Sequence, residues 1–527
     1  RVVRAVAWAG RRRPLPSMPA AKEWPFSKEW PVDGQESVPD NDAPVTDMRT
    51  FYIIVLTVLV LSCSIVIGVD LYRKCKNELP KDARSLQSIF LLGYLLCAAA
   101  DWLQGPYIYA LYAAYGFSSF ELAVLFVTGF SAAMIFGPAV GAFADRFGRK
   151  RCIVILYCFA YTASCVTKHF NVFWILVVGR VLGGIATSAL FSAFESWLVG
   201  EATKRGLAQS SLDAIFSNMY FANGLMAILM GMLAEFAAGI RKMSQKDDFA
   251  VGGYLAPFDL SLTLCLLAAL IIGRAWGENK PAVSNPANGR YFEQIFYAFR
   301  VLMGDRLLML LLMVSSLVEA SMYAFIFEWT PALTTEDRSP PLGIIFSCFM
   351  LAYMMGSCAF SIVMRGTCHK GGLEPSTMLV AITALATVAL TLPWVLHASG
   401  YARRDRGEAL CFLGFLVYEA IIGVYMPLFA SIKARYVPEE VRASVYTIFR
   451  IPLNMIVVVV LLVNLSLGST FMLCVLLLSA ALACALTLRV TIRHREVNSV
   501  LNAAEGAPAS PRARPREADG LLSAKGV

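Results

Sequence analysis

Several ionisable side chains lie deep inside apolar stretches of this sequence, where a charge is costly. Asp101, Arg180, Glu319 and Glu419 stand near the middle of such stretches, and Arg450 lies nearer the beginning of another. An unpaired charge at the centre of a bilayer costs at least ~2.5–3.5 kcal/mol, so each group must face a partner or a water-filled cavity. Acids and bases at this depth can bind a charged solute or carry protons.

The segment around Asp101 reads ADWLQGPY, and it adds Gln104 as a candidate substrate contact. Gly105 and Pro106 follow, and we expect them to break the helix and to free backbone groups for a ligand. A purely structural explanation is equally open, in which Asp101 and Arg180 form an ion pair with no ligand involved.

The chain as a whole has the composition of a membrane protein. Of its 527 residues, 57% are hydrophobic and 16% charged, and the mean hydropathy is +0.61. The net charge of +9 comes from short basic blocks between apolar runs, which indicates membrane topology and argues against nucleic-acid binding. Twelve apolar runs are long enough to cross a bilayer; they span residues 86–112, 122–143, 152–167, 172–198, 213–238, 258–276, 307–329, 342–364, 378–396, 409–432, 443–465 and 468–490.

The order of these runs predicts an all-α integral membrane protein with a 6+6 helix core and one extra N-terminal transmembrane helix. The predicted segments are a disordered or artefactual leader (1–47), an anchor helix with a basic loop (48–85), a first six-helix bundle (86–276), a cytoplasmic linker (277–306), a second bundle (307–490) and a disordered cytoplasmic tail (491–527). The positive-inside rule places both ends of the core in the cytoplasm and the start of the anchor helix outside.

The loop between the second and third core runs reads GAFADRFGRKR, residues 141–151. It resembles the signature loop of the major facilitator superfamily, which implies gating roles for Gly141, Asp145, Arg146, Gly148 and Arg149. We expect Gly141 to allow close helix packing and Asp145 to accept hydrogen bonds from the N-terminus of a neighbouring helix. An ordinary positive-inside loop is the simpler alternative. Glu195 lies nearer a helix end and is a candidate gate charge.

Enzymatic and metal chemistry find little support. The thirteen cysteines are scattered, the four histidines lack partners at metal-ligand spacing, and no phosphate-binding G-x-x-x-x-G-K-S/T loop occurs. We therefore expect no metal site, no cofactor and no catalytic residue.

Five further stretches, ADWLQGPY (100–107), LFSAFESW (190–197), WGEN (276–279), WTP (329–331) and PLGIIFS (341–347), are similar to the molybdate-anion transporter family. The resemblance implies uptake of molybdate, an oxyanion, at the cell membrane. Arg180 and Arg450 would then meet the anion, while Asp101, Glu319 and Glu419 would pair with them or carry coupling protons.

Two alternatives stay open. One is a proton-coupled carrier of a sugar or an organic anion, and the other is a carrier-like sensor or scaffold that moves nothing. In the second bundle, Arg365, His369 and Lys370 replace the signature loop, so we expect two unequal gates.

Overall fold

A computed structural model describes residues 48–76, 79–280, 291–333, 341–367, 374–463 and 465–505. Within these residues, thirteen helical segments are long and apolar enough to cross a membrane. They correspond to the predicted anchor helix and the twelve predicted core helices, so the predicted fold class is confirmed.

The anchor helix and the first half of the core come first in the chain. The elements are α1 (Met48–Lys76), α2 (Lys81–Gln104), α3 (Ile108–Ala114), α4 (Ser119–Phe147), α5 (Arg149–Cys152), a π-helical segment (Ile153–Phe159), α6 (Ala160–Thr167), α7 (Phe173–Leu190), α8 (Ala193–Lys204), α9 (Gln209–Ile240), the hairpin β1 (Ser244–Lys246) and β2 (Phe249–Val251), and α10 (Ala256–Ala275). A 3₁₀ turn, Gly105–Tyr107, joins α2 to α3 within one spanning segment, so the α-helix is interrupted at the predicted Gly105 and Pro106.

The second half contains longer continuous helices. They are α11 (Tyr291–Gly304), α12 (Arg306–Ala332), α13 (Leu342–Thr367), α14 (Pro375–Ala398), α15 (Asp405–Tyr436), α16 (Arg442–Val463) and α17 (Leu467–Glu505). The six helices α12 to α17 form the second bundle, and α11 precedes them.

Two boundaries differ from the sequence prediction. The last helix continues to Glu505, so the predicted disordered tail is wrong for residues 491–505, because apolar length marks only the part of a helix inside lipid. The predicted linker contains the helix α11, whose buried Ala298 and Leu302 pack against the core. The predicted leader and the residues His369 and Lys370 lie outside the described residues.

The two halves meet along α4 with α16 and α9 with α13. Between α9 and α13, the Ser217 hydroxyl donates to the Ser357 carbonyl at 2.9 Å, and the Ser357 hydroxyl donates to the Ser217 carbonyl at 2.8 Å. Small residues permit this approach: a side chain at Gly224 would lie 2.9 Å from Met354 Cγ.

The anchor helix α1 packs on the second half, which the sequence did not predict. Tyr52 donates a 2.6 Å hydrogen bond to the buried Glu408 at the beginning of α15. Asp70, near the other end of α1, accepts a 2.9 Å hydrogen bond from Ser361 of α13. These polar contacts attach α1 to the second bundle near both ends of the helix.

One end of the molecule collects the predicted cytoplasmic loops, and we call it the basic face. Four segments meet there: the signature loop, the segment after α10, the region where α15 leads into α16, and the last third of α17. The contacts Arg149–Asn279, Arg149–Glu439 and Arg435–Glu496 join them. These loops are the ones that the positive-inside rule predicts to be cytoplasmic.

Candidate functional site

A cavity of about 390 Å³ lies between the two halves. Its walls come from α2, α7, α8 and α9 of the first half and from α12, α13, α15 and α16 of the second half. Most of the lining is aromatic or aliphatic. Six charged residues also line it: Asp101, Glu195, Glu319, Glu419, Lys433 and Arg450. A mostly apolar cavity with a few convergent polar groups is the usual form of a small-molecule site.

Arg450 is the cation at the centre of the second-half wall. Its Nη1 lies 3.6 Å from Glu319 Oε2, and its Nη2 donates a 3.3 Å hydrogen bond to the Tyr323 hydroxyl. The guanidinium also lies 3.9 Å from the ring centroid of Phe191 in the first half. Glu319 accepts a further 2.6 Å hydrogen bond from Ser315. At 3.6 Å the contact with Glu319 is longer than a charge-assisted hydrogen bond, and Arg450 lines the cavity.

Lys433 is the second cation of the cavity, and its partner lies in the opposite half. Its Nζ donates to Glu195 Oε2 at 2.9 Å. The other oxygen of Glu195 accepts a 2.6 Å hydrogen bond from the Tyr220 hydroxyl. The Lys433 ammonium also lies 4.5 Å from the Tyr446 ring centroid and 5.6 Å from that of Phe429, where ring faces favour a cation.

Asp101 faces the cavity from α2 and is held by a tyrosine. Its Oδ1 accepts a 2.5 Å hydrogen bond from the Tyr161 hydroxyl. The neighbouring Trp102 donates its indole N–H to Asn223 at 3.1 Å. Asp101 and Arg180 form no ion pair in the structure, although both residues are described, so the structural explanation by that pair is wrong.

Glu419 differs from the other cavity acids. Its side chain lines the cavity but is only 6% exposed. Within the part of the chain that the structure describes, it has no hydrogen bond or ion pair. A carboxylate in such surroundings is costly when ionised, so Glu419 is suited to hold a proton or to meet a cation.

Arg180 and Gln104 lie outside the cavity lining. Arg180 points toward α4, where its Nε donates to the Leu125 carbonyl at 3.0 Å and its guanidinium covers the Phe126 ring at 5.2 Å. The absence of a side chain at Gly129 makes room for it. Gln104 donates to the Ser261 hydroxyl at 2.7 Å inside the first bundle. In this structure both residues therefore have partners within the first half, and neither lines the cavity.

The basic face is closed by the signature loop. Asp145 Oδ1 accepts from the Ala443 amide at 3.1 Å, and its Oδ2 accepts from the amide and the hydroxyl of Ser444, each at 2.8 Å. These amides begin α16, so the expected contact of Asp145 with a helix N-terminus is present. Arg442, at the start of the same helix, pairs with Glu439.

Arg149 joins the halves a second time. Its fully buried side chain donates to Glu439 Oε1 at 2.6 Å across the interface, and to the Ser196 carbonyl at 3.0 Å and Asn279 Oδ1 at 3.1 Å within its own half. We call Asp145, Arg149, Glu439 and Ser444 the latch. Arg146 belongs to the signature loop but only covers the Phe147 ring at 5.3 Å.

Glycines are needed at two positions of this loop. A Cβ at position 141 would lie 2.5 Å from Thr447 Oγ1 and 2.6 Å from Ser444 Cα, so α4 and α16 could not pack as they do. Gly148 has a φ of +116° and faces the Glu278 carboxylate, a conformation and a contact that a side chain would disfavour.

Sequence reasoning missed three contributors to the site. In the sequence, Lys433 is one of several basic residues near a helix end, and Glu439 follows a proline outside any recognisable motif. Asn279 lies in the WGEN stretch, which carried a family resemblance but no role. A signal for Lys433 existed in its position, because it lies on an apolar helix one turn before the helix ends.

Two six-helix bundles around a charged central cavity define a membrane transporter of the major facilitator type. The family model described as "Sugar-transporters, 12 TM" matches residues 51–420. The chain is 31% identical to the molybdate-anion transporter of Takifugu rubripes over 71% of this chain and 78% of that protein. It is 32% identical to the one of Xenopus tropicalis over 78% of this chain and 87% of that protein. The chain belongs to the molybdate-anion transporter family of the major facilitator superfamily, and it is a multi-pass membrane transporter, not an enzyme.

Solved structures show the same fold at low sequence identity. A bacterial homologue of the iron transporter ferroportin in an outward-facing state has a TM-score of 0.58 at 15% identity, covering 77% of this chain and 98% of that one. The fucose:proton symporter FucP of E. coli has a TM-score of 0.59 at 11% identity, covering 77% and 99%. The human organic anion transporter MFSD10 (TETRAN) has a TM-score of 0.52 at 17% identity, covering 78% and 97%.

Proposed function

We propose that this protein is a secondary active transporter that takes up molybdate across the cell membrane by alternating access. The names of the curated relatives support the substrate. The observation that carries the proposal is the cavity between the two halves, with Arg450 and Lys433 in its wall. Molybdate is a tetrahedral dianion, and cationic side chains form charge-assisted hydrogen bonds with such oxyanions.

The balance of charge in the cavity supports proton coupling. Four acids and two bases line it, so a fully ionised cavity would repel a dianion. Glu195 and Glu319 are each paired with a cation. Asp101 and Glu419 are the remaining acids, and we propose that they are protonated when the anion is bound, so that protons enter with it.

The latch supports alternating access. Its contacts close the basic face while the cavity exists on the other side of them, so a solute in the cavity reaches the cytoplasm only after the latch breaks. We propose gating roles for Gly141, Asp145, Arg146, Gly148, Arg149 and Glu195. The glycines set the closed packing, and the charged residues hold it.

The size and lining of the cavity favour a second candidate. A volume of about 390 Å³ falls in the range of roughly 300–1,000 Å³ typical of organic ligands. Aromatic residues such as Trp102, Phe191, Trp329 and Tyr353 line it, and they suit a ring or a carbon chain better than a bare oxyanion. A proton-coupled carrier of an organic anion or a sugar fits these features.

Uptake of molybdenum by a transport-deficient host, measured by mass spectrometry, tests the proposal. We expect the wild-type chain to raise uptake, and Arg450→Gln to abolish it at equal surface expression. Arg493→Gln is the matched control, because Arg493 is an exposed arginine of α17 that does not line the cavity. Excess organic anion or sugar should leave uptake unchanged; uptake of an organic anion or a sugar without uptake of molybdenum would favour the second candidate. Binding without any uptake would favour a sensor or scaffold.

A further inference from the structure

The ion pair between Glu195 and Lys433 is part of the cavity wall and also part of the interface between the two halves. Both side chains line the cavity, yet Glu195 is on α8 of the first half and Lys433 is on α15 of the second half. The pair is therefore an inter-half contact that a solute in the cavity can touch.

We propose that Lys433 exchanges partners during transport: it binds Glu195 when the cavity is empty and the solute anion when the cavity is occupied. Anion binding then removes an ion pair that holds the two halves together. The inference rests on the proposed function, because it needs an anion to enter this cavity.

The surroundings of Lys433 allow such an exchange. Its side chain is 12% exposed and that of Glu195 is 11% exposed, so both keep access to the cavity. The ammonium lies over the rings of Tyr446 and Phe429, which belong to its own half and hold it in place. After the exchange, Glu195 keeps its hydrogen bond from Tyr220 of its own half, and Lys433 binds the anion, so each charged group still has a polar partner.

The ion pair of Arg450 differs from that of Lys433, because it does not join the two halves. The carboxylate partner of Arg450, Glu319, is on α12, and both residues belong to the second half. An anion that displaces Glu319 from Arg450 changes contacts within one rigid bundle. An anion that displaces Glu195 from Lys433 breaks an ion pair between the bundles. The inter-half contact of Arg450, in contrast, is with the uncharged ring of Phe191.

The pair also adjoins the latch on both sides. Ser196 follows Glu195, and its carbonyl accepts a hydrogen bond from Arg149 at 3.0 Å. Lys433 lies one turn before the end of α15, and the chain then leads to Glu439, the inter-half partner of Arg149. Release of the pair therefore loosens the chain segments that hold the latch from either half.

Distances between spin labels across the basic face test this inference. Lys204→Cys at the end of α8 and His494→Cys in α17 place labels on exposed positions of opposite halves. The labelled protein is studied in lipid nanodiscs with and without molybdate, with the chain lacking both added cysteines as the labelling background. We expect molybdate to shift the wild-type population to longer distances.

Two variants separate the exchange from general damage. Glu195→Gln keeps the shape but loses the charge, so we expect longer distances already without molybdate. Glu319→Gln makes the same change in the same-half pair and should leave the ligand-free distances as in wild type. Lys433→Arg should retain both the ligand-free distances and the response.

Ligand-free distances in Glu195→Gln that equal those of wild type would overturn the inference, whatever molybdate does. Longer distances in Glu319→Gln as well would also overturn the inference, because the loss of any carboxylate in the cavity would then be enough to lengthen the distances. If the ligand-free distances are longer in Glu195→Gln alone, and molybdate does not change the distances in wild type, the role of the inter-half pair as a gate is supported. Molybdate as the substrate is then contradicted.

Discussion

Arg149 of the signature loop donates a 2.6 Å hydrogen bond to Glu439, which lies in the opposite half of the molecule. The guanidinium is fully buried, and a buried charge is stable only while its partners are present. In the proposed alternating-access cycle, opening of the basic face separates these two residues, so their contact contributes to the free energy of the closed state.

Loss of the Glu439 charge should favour opening. We expect Glu439→Gln to weaken the closed state by about 1.5–3 kcal/mol, the usual worth of a hydrogen bond to a charged group. Thr447→Cys places a thiol at a buried position between α4 and α16, and its labelling rate from the cytoplasmic side of inside-out vesicles measures opening. The rate should rise in Glu439→Gln.

The exposed pair Arg435–Glu496 on the same face provides the control. Glu496→Gln should change the labelling rate little, since exposed ion pairs contribute roughly 0–1 kcal/mol. Equal rates in both variants would contradict a special role for the latch.

Close packing of α4 and α16 should depend on Gly141. We expect Gly141→Ala to destabilise the closed state by about 1–3 kcal/mol, a shift of roughly 5- to 150-fold in the open–closed equilibrium, because the Cβ meets backbone atoms of α16. Gly137→Ala is the matched control one turn earlier, where the nearest atom lies 3.5 Å away. Thr447→Cys labelling should rise for the first variant only; similar rates for both would show that the glycine is not needed.

Substitution of Arg180 should affect stability, whereas substitution of Arg450 should affect transport. We expect Arg180→Ala to lower the melting temperature, since a hydrogen bond to Leu125 is lost, while the KM for molybdate stays near wild type. Arg450→Ala should raise the KM or abolish uptake, because its guanidinium faces the cavity. A raised KM for Arg180→Ala at normal stability would show that Arg180 reaches the solute in another conformation.

The loop between α6 and α7 should make stability depend on pH. The hydrogen bond to Asp259 raises the pKa of His169 above its usual value, and partial burial of the ring opposes that shift. Because the folded-state pKa is the higher one, the stabilisation is fully present below the unfolded pKa of 6.5 and is lost as the pH rises through the folded value.

We therefore expect the unfolding free energy of wild type to exceed that of His169→Gln by about 0.2–1 kcal/mol in mildly acidic buffer, with the difference vanishing at alkaline pH. Thermal melts across that range measure it. A difference that grows with rising pH would contradict the assignment.

Much of the architecture could be predicted because the bilayer fixes the length of each helix. The twelve core runs, the break at Gly105 and Pro106, and the contact of Asp145 with a helix N-terminus all follow from length, backbone chemistry and motif. The depth of Arg180 was also readable, since each helical residue rises 1.5 Å.

What could not be predicted is the direction of a side chain about its helix axis. Arg180 lies deep in α7 but points toward α4, and only the packing of the bundle decides that. The attachment of α1 to the second half and the pairing of Lys433 with Glu195 join residues far apart in sequence, and no local pattern reports such contacts.

Molybdate counterflow in proteoliposomes with purified protein tests the central claim most directly. Vesicles loaded with unlabelled molybdate should accumulate external labelled molybdate with the wild-type protein, faster at a lower external pH. With Arg450→Gln, accumulation should fall to the level of loaded vesicles that contain no protein. Wild-type vesicles that accumulate no more than protein-free ones, or an Arg450→Gln protein that exchanges normally, would contradict the account.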